Sequence, residues 1–424
     1  MRFEAASWLH SPGNRPGGED RTGPVENFPL PGIVPCMPRS LYDRNYILLN
    51  ASNFLYSLYS TVFIFLPPFL YGRNIREGEI GLVMATGTLV SVSLKPVNGL
   101  FVDRGGRTAF LVSGSLLACA STIPWLFVTE GGAHLFAIRI FQGAAYSFFA
   151  TASYAYIAAV APADRRGEAL GVFGLSFFIP TALGGWLGEW VIGWGGFHAL
   201  FLSAAAIAFL SAIPPLRMKE PQSSSRLSPA MLLDFLSRAY FIPNTAGFLF
   251  GMAYGCLFTF LPVFLLIRKI PSLGIFLCVY ALTVIGTRTL ARRLADRMPR
   301  ERLSLLSLLL LGAGILAIPF LSGSAGLCAV AVVSGTGHGF LFPSLSALIL
   351  DRAGKEKGGM AMAMFTGAFD MGMVIGAAAF GFVAQYLGYA AMFYSVAGIT
   401  GAGSLFFFTQ DPAFRKASPP GPVS

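Results

Sequence analysis

Long apolar stretches alternate with short polar segments along most of the chain, and each stretch approaches the ~20 residues that span a bilayer as a helix. The stretches are continuous, with glycine and proline scattered inside them. Strands of a membrane β-barrel instead alternate apolar and polar positions over about 10 residues. The pattern therefore predicts transmembrane helices, which satisfy their own backbone hydrogen bonds in lipid.

Twelve such helices are predicted, and the fold class is an all-α membrane protein. A polar stretch with Pro and Ser, residues 217–239, separates six helices from six and is typical of a linker. This divides the chain into predicted six-helix bundles at 41–216 and 240–412. Residues 1–40 and 413–424 are predicted to be disordered tails. The predicted helices are 44–70, 79–102, 108–129, 132–161, 166–193, 196–216, 240–267, 272–295, 303–322, 324–352, 358–386 and 388–410.

Composition and charge support a membrane protein with both termini in the cytoplasm. Charged residues make up 12% of the 424 residues, about half the fraction of a soluble domain. The net charge of +10 lies in short loops between predicted helices, which is typical of membrane topology and not of a nucleic-acid-binding face. Most Lys and Arg residues lie in the segments that are cytoplasmic if the N-terminus is inside. This asymmetry predicts that both termini lie in the cytoplasm and that the protein lies in the inner (cytoplasmic) membrane. The predicted outer loops then hold only four basic residues, which are Arg73, Arg76, Arg268 and Lys269.

The second half of the chain repeats features of the first half. "FLPPFL" (65–70) aligns with "FLPVFL" (260–265), and the aligned positions of the two halves lie 192 to 195 residues apart. Because each repeat has an even number of predicted helices, both halves have the same orientation. Parallel repeats of this kind indicate two pseudo-symmetric six-helix bundles, an architecture of secondary transporters. The aligned pairs include Lys95 with Arg288, Asp103 with Asp296, Arg104 with Arg297, Arg107 with Arg300, and Tyr146 with His338.

Three motifs on the predicted helices carry a family resemblance. They are "GLFVDRGGRT" (99–108), "RIFQGAAYS" (139–147) and "RRGEALG" (165–171). Because the three motifs occur together and in this order, the chain resembles the major facilitator superfamily over residues 40 to 412. The resemblance is in particular to its twelve-helix drug:proton antiporter-like exporters. The resemblance implies alternating access, a small-molecule substrate, coupling to protons and a monomer in the lipid bilayer. It implies no cofactor.

The resemblance also implies a cytoplasmic gate. Asp103 is expected beside Gly358 and Gly359, where it would latch one half to the other. Arg107 is expected to orient Asp103 or to pair with Asp351. The residues assigned to this gate are Gly99, Asp103, Arg104, Gly106, Arg107, Asp296, Arg297, Arg300 and Asp351.

Two ionisable residues inside predicted helices are candidates for proton coupling. Asp370 lies near the middle of its predicted helix, where a charge costs about 2.5–3.5 kcal/mol. It is either a proton carrier, since burial favours the neutral carboxyl group, or half of a fixed ion pair with a neighbouring helix. Arg139 keeps its charge and needs an acceptor or an anionic substrate. The resemblance gives it a role in coupling, and otherwise it ties helices together. Glu189 is either its partner or an interfacial residue that reaches solvent.

Other polar side chains inside the predicted helices are candidates for a substrate cavity or for packing. Lys95 and its counterpart Arg288 are interpreted as snorkelling to the cytoplasmic surface. Tyr146 and His338 occupy equivalent positions on helices that line the cavity in this fold, and a histidine there could also titrate. The predicted substrate cavity comprises Asn53, Tyr56, Gln142, Tyr146 and His338.

The predicted function is secondary active transport of a small organic solute, with proton-coupled export favoured. A proton-coupled uptake symporter remains an alternative, because Gly185 and Glu189 depart from the fifth-helix antiporter motif. A non-transporting receptor is disfavoured because Asp103 and Arg107 are both present. A lipid-handling protein or an enzyme is disfavoured because no catalytic, metal-binding or phosphate-loop pattern occurs.

Overall fold

The computed structural model describes residues 42–161, 165–221, 238–270, 273–289, 298–411 and 414, with the side chains of residues 103, 104, 166, 167, 238, 239 and 354–359 excluded. The described residues belong to one compact unit and form helices without any strand. Among them, nine helical segments are long and apolar enough to cross a membrane, and Leu273–Thr289 is a shorter apolar helix. The all-helical membrane fold predicted from the sequence is therefore confirmed.

The helices follow the apolar stretches of the sequence. Three 3-10 turns, Phe63–Phe65, Ile123–Phe127 and Ile318–Phe320, extend α1, α4 and α10. The helices are α1 (Arg44–Val62), α2 (Leu66–Tyr71), α3 (Glu77–Gly105), α4 (Arg107–Thr122), α5 (Ala133–Val160), α6 (Arg166–Ser211), α7 (Ile213–Leu216), α8 (Arg238–Ile267), α9 (Leu273–Thr289), α10 (Arg300–Ala317) and α11 (Ser324–Gln410).

The long helix α6 folds back on itself at Gly196, whose φ of 68° is in the left-handed region that favours glycine. Ser52 of α1 donates to the carbonyl of Ser211 (2.7 Å), and the adjacent Asn53 donates to the hydroxyl of Ser176 (2.7 Å). A straight helix would place Ser176 and Ser211 about 50 Å apart. Two arms of α6 therefore lie side by side against α1. We call them α6a (residues 166–195) and α6b (residues 197–211).

The helix α11 reverses direction twice. The rings of Phe342 and Phe365 lie 5.3 Å apart, although a straight helix would separate them by about 35 Å. A second reversal occurs at Gly388, which has a φ of 85°. Gly372 and Gly403, on either side of it, both pack against neighbouring residues of α8. We call the three arms α11a (Ser324–Ala353), α11b (residues 360–387) and α11c (residues 389–410).

The two halves of the chain meet where α3 packs on α11b and α6a packs on α9. Glycines line both contacts, which allows the close helix approach seen in membrane proteins. A Cβ atom on Gly81 would collide with the carbonyl of Ala377, and one on Gly381 would lie 2.6 Å from a backbone oxygen of α3. Gly185 packs directly against Leu277 in the same way. These glycine contacts concentrate toward the predicted outer face.

Candidate coupling and substrate site

An ion pair joins the two halves inside the membrane-spanning region. Lys95 of α3 donates from Nζ to the Oδ2 of Asp370 on α11b. The side chains are 35% and 16% exposed, respectively. Lys95 lies about 27 Å along α3 from its first residue and about 15 Å from its last. The interpretation of Lys95 as a snorkelling residue is wrong, because its ammonium group points to a carboxylate on the opposite half.

The symmetry-related cation makes a different contact. The guanidinium carbon of Arg288 on α9 lies 4.6 Å from the centre of the Phe178 ring on α6a, again across the two halves. Phe178 and Asp370 are 192 positions apart, the same separation as Tyr146 and His338. One repeat-related site thus holds an ion pair and the other holds a cation over an aromatic ring. The snorkelling interpretation of Arg288 is also wrong.

Arg139 ties α5 to α3 through backbone carbonyls. Its Nε donates to the carbonyl of Val83 and its Nη2 to that of Met84, both at 3.2 Å. Its Nη1 donates to the side-chain oxygen of Gln142 at 3.1 Å. Within the described part of the chain, no carboxylate forms an ion pair with Arg139. The acceptors of this partly buried cation are therefore two helix carbonyls and the side-chain oxygen of Gln142.

Glu189 lies at the contact between α6a and α9. Its carboxylate faces the backbone N–H groups of Leu273 and Gly274, the first residues of α9. These N–H groups have no partner within the helix, and a negative charge there is stabilised by the helix dipole. Glu189 is thus neither the partner of Arg139 nor a residue that reaches freely into solvent.

Of the predicted cavity residues in the first half, only Tyr146 is substantially exposed, at 40%. Tyr56 is buried and stacks on Phe149, with ring centres 3.8 Å apart. Asn53 is held by α6a as described above, and Gln142 is buried beside Arg139. Asn53, Tyr56 and Gln142 therefore take part in packing within the first half in this conformation, and their role in a cavity stays a prediction.

His338 lies in an aromatic cluster of the second half. Its Nδ1 forms a 2.6 Å hydrogen bond with the hydroxyl of Tyr280. The rings of Phe250, Tyr254 and Phe178 surround it, with centroid distances of 5.1, 5.4 and 5.8 Å. Because Phe178 also contacts Arg288, the cluster around His338 continues to the contact between the halves.

Comparison with known proteins identifies the family. The profile of the Major Facilitator Superfamily matches residues 48–324 and 270–423, which together cover both halves. The chain belongs to the Major Facilitator Superfamily. It is therefore a membrane transporter and not an enzyme.

Named relatives of this superfamily transporter include exporters. The staphylopine export protein of Staphylococcus aureus is 22% identical over 84% of this chain and 93% of its own length. The multi-drug resistance efflux pump PmrA homolog of Lactococcus lactis is 24% identical over 80% of this chain and 87% of its own length. Among solved structures, a bacterial homolog of the human lysosomal transporter Spinster shares the fold, with a TM-score of 0.70 at 14% identity over 91% of this chain and 100% of its own.

The loop motif of the superfamily forms a sharper turn than predicted. The helix α3 continues to Gly105 and α4 begins at Arg107, so Gly106 alone makes the reversal, with a φ of 87°. Arg107 is buried, its Nη1 donates to the carbonyl of Pro221 (2.8 Å), and its backbone N–H donates to the Glu220 carboxylate (2.7 Å). This end of the motif is therefore fastened to the segment that follows α7.

The predicted pairing of Arg107 with Asp351 is wrong. Asp351 is paired with Arg300, the repeat counterpart of Arg107. Arg300 also donates to the carbonyl of Ala347 at 2.9 Å.

Gly99, another residue assigned to the gate, has open space beside it, since an alanine Cβ there would have no neighbour within 4 Å. The predicted latch and the rest of the gate stay predictions. The side chains of Asp103, Arg104, Gly358 and Gly359, and residues Asp296 and Arg297, lie outside the described residues.

Two residues that make contacts described above, Phe178 and Glu220, were not singled out from the sequence. Phe178 is one of many phenylalanines, but the repeat alignment places it at the position equivalent to Asp370, so a signal existed. Glu220 lies in the polar stretch after the sixth predicted helix, and no pattern there indicates its contact with the start of α4. Long-range partners of this kind depend on tertiary packing.

Proposed function

We propose that this superfamily transporter has twelve membrane crossings, arranged as six-helix bundles at 41–216 and 240–412. The reversals of α6 at Gly196 and of α11 at Gly388 support this count, because each long helix then crosses more than once. The excess of Lys and Arg in predicted inner loops supports cytoplasmic termini and an inner-membrane location.

Within this architecture, the transporter moves a small organic solute by alternating access and couples the movement to protons. The observation that carries this proposal is the Lys95–Asp370 ion pair between α3 and α11b. The two halves must separate at different faces in turn, so a bond between them has to break once in each cycle. A proton on Asp370 neutralises the carboxylate and removes most of its attraction for Lys95.

The partial exposure of the pair supports a proton carrier. The Asp370 side chain is 16% exposed, so the protein does not enclose the carboxylate completely. A charged-group hydrogen bond contributes about 1.5–3 kcal/mol, and about 1.4 kcal/mol corresponds to a tenfold change in an equilibrium. Because Lys95 is 35% exposed, the lower end of this range applies, and protonation at this one position changes the ratio of two conformations by roughly tenfold.

Arg139 has a secondary role in this proposal. Its guanidinium group clamps α5 to the carbonyls of Val83 and Met84 on α3, the helix that carries Lys95. Movement at the ion pair can thus reach α5 through one rigid contact. Arg139 influences coupling without exchanging a proton itself, because arginine stays protonated in proteins.

Export is the proposed direction. The names of the staphylopine export protein and of the PmrA efflux pump homolog support it, as does the likeness of the loop motifs to drug:proton antiporters. Uptake by symport is the second candidate. It is favoured by Gly185 and Glu189, which stand where the antiporter motif has other residues and which both pack against α9.

Transport by the purified full chain in proteoliposomes tests the proposal. A pH gradient of either sign is imposed, and a panel of aryl carboxylates, aryl amides and aryl amines is screened for accumulation. We expect at least one compound to move against the proton flow in wild type and none to do so in Asp370→Asn. Movement with the proton flow identifies the symporter instead. Transport that requires ATP contradicts the secondary-transport proposal.

A further inference from the structure

Arg288 is a membrane-embedded cation for which the described residues supply no carboxylate and no hydrogen-bond acceptor at Nε. It stands where the first repeat has Lys95, but Phe178 occupies the place of the carboxylate. Among the described residues, no Asp or Glu forms an ion pair with Arg288, and no side chain or carbonyl accepts a hydrogen bond from its buried Nε. The site resembles the Lys95–Asp370 site with its anion removed.

The contact with Phe178 does not satisfy this guanidinium group. A cation over an aromatic ring gains about 0.5–2 kcal/mol, but it leaves the buried Nε–H, which lies in the plane of the group, without an acceptor among the described residues. Arginine cannot become neutral to avoid the cost. A buried donor without a partner costs about 1–3 kcal/mol. An acceptor that is present during the transport cycle would remove this cost.

The surroundings of Arg288 are suited to an aromatic or amphipathic anion. Tyr154, Tyr254 and Tyr280 lie close enough to interact with its charge. Tyr154, on α5 of the first half, is 60% exposed. Aromatic rings supply apolar surface with polar tips, and Phe178 links the guanidinium group to the cluster around His338.

The local charge also favours an anion over a cation. Lys95 and Asp370 largely neutralise each other, which leaves the charge of Arg288 uncompensated among the described groups at this depth. The planar fork of a guanidinium group matches a carboxylate with two parallel hydrogen bonds, which an amine or a neutral amide cannot reproduce.

We propose that Arg288 binds the carboxylate of the transported solute, while Phe178 and the tyrosines around it contact an aromatic or apolar body. The substrate class is thus a small organic carboxylate with an apolar group. This inference rests on the proposed transport function and adds the chemistry of its substrate. It also gives the two repeats different roles, since the cation of the first repeat holds the proton-sensitive carboxylate and the cation of the second repeat holds the substrate.

The test is binding of charge-matched probes to the full chain in detergent, without any gradient. The probes are phenylacetate, 4-phenylbutyrate and indole-3-acetate, each compared with its amide, and phenethylamine. Binding is measured as ligand-dependent thermal stabilisation, which follows the ratio of ligand concentration to Kd. In wild type we expect at least one carboxylate to bind at least tenfold more tightly than its amide and than the amine.

Variants locate the effect at Arg288. Arg288→Gln should weaken carboxylate binding about tenfold to a hundredfold, while Arg288→Lys should weaken it less and keep the preference for the anion. Arg268 provides a matched control, because its guanidinium carbon also lies over a phenylalanine, 5.8 Å from the Phe264 ring, but at the predicted outer face. Arg268→Gln should bind carboxylates as wild type does.

Two results overturn the inference. One is a wild-type protein in which no carboxylate binds more tightly than its amide, a comparison that needs no variant to fold. The other is an Arg288→Gln protein with unchanged carboxylate binding. Gradient-driven transport separates this inference from the proposed function. If carboxylates bind but are not driven by protons, the substrate class is supported and proton coupling is contradicted. If protons drive the movement of amines alone, proton coupling is supported and the substrate class is contradicted.

Discussion

The Lys95–Asp370 pair predicts a specific pattern of stabilities when its members are replaced. Asp370→Asn removes the carboxylate and leaves Lys95 unpaired, and Lys95→Gln leaves the carboxylate unpaired. Removing one partner of a fully buried pair costs about 3–5 kcal/mol, whereas exposed pairs contribute at most about 1 kcal/mol. With exposures of 35% and 16%, we expect each single replacement to lower the free energy of unfolding by about 1–3 kcal/mol.

The double variant Lys95→Gln/Asp370→Asn should lose less than the sum of the two single variants. It leaves two neutral polar side chains that can still form a hydrogen bond, and no uncompensated charge. We therefore expect a coupling energy of about 1–2 kcal/mol, which is within the range measured for residues in direct contact. At about 1.4 kcal/mol for each factor of ten, this coupling also biases the conformational equilibrium of the two halves by about tenfold.

The assay is unfolding of the purified full chain by a denaturing detergent, followed by circular dichroism for all four proteins of the cycle. Arg302→Gln is the matched control, since Arg302 is an exposed cation on the second half and its replacement should change the free energy of unfolding by less than about 0.5 kcal/mol. If the two single effects add to give the double effect within about 0.5 kcal/mol, Lys95 and Asp370 are energetically independent, and their contact does not stabilise the protein.

Four further predictions concern packing, the cytoplasmic loop and the cycle. Gly251→Ala places a Cβ against the Phe369 carbonyl and should cost about 1–3 kcal/mol in unfolding free energy, whereas Gly174→Ala, with open space around it, should cost nothing. Glu220→Gln should destabilise the start of α4 by about 0.5–2 kcal/mol, with a smaller thermal shift at 1 M salt because the charge is screened. Arg139→Lys cannot reach all three of its acceptors and should lower thermal stability and slow transport about tenfold; equal transport rates would contradict the clamp. Asp103→Asn should slow cycling while substrate affinity stays the same, and a large affinity loss with normal cycling would count against the latch.

The positions of the helices could be predicted from the sequence because lipid imposes a length and a composition on each crossing. The predicted helices also break beside Gly196 and Gly388, but the residue at which the chain turns was less well predicted. At Gly106 a single residue reverses the chain, although the predicted helices left residues 103–107 between them. Hydropathy cannot resolve such turns, since they depend on one backbone angle rather than on a run of polar residues.

The candidate site was only partly predictable. Asp370 and Arg139 stand out in the sequence because a charge within an apolar helix needs a partner. The partners themselves could not be assigned, because they lie on helices that are distant in the sequence. Lys95 was expected to extend toward the cytoplasmic surface, but α3 packs against α11b and brings Asp370 within reach of its ammonium group. The contrast between Asp370 and Phe178 emerged only when the repeat was combined with the contacts across the halves.

The most direct test of proton coupling through Asp370 is a count of protons moved for each solute molecule. Proteoliposomes containing the full chain and an internal pH-sensitive dye are given an outward or inward gradient of the best-bound probe, with no initial pH difference. We expect solute movement to drive opposite proton movement in wild type, and we expect Asp370→Asn to abolish the proton signal while still exchanging solute across the membrane. Proton movement of equal size in Asp370→Asn and wild type would contradict coupling through Asp370.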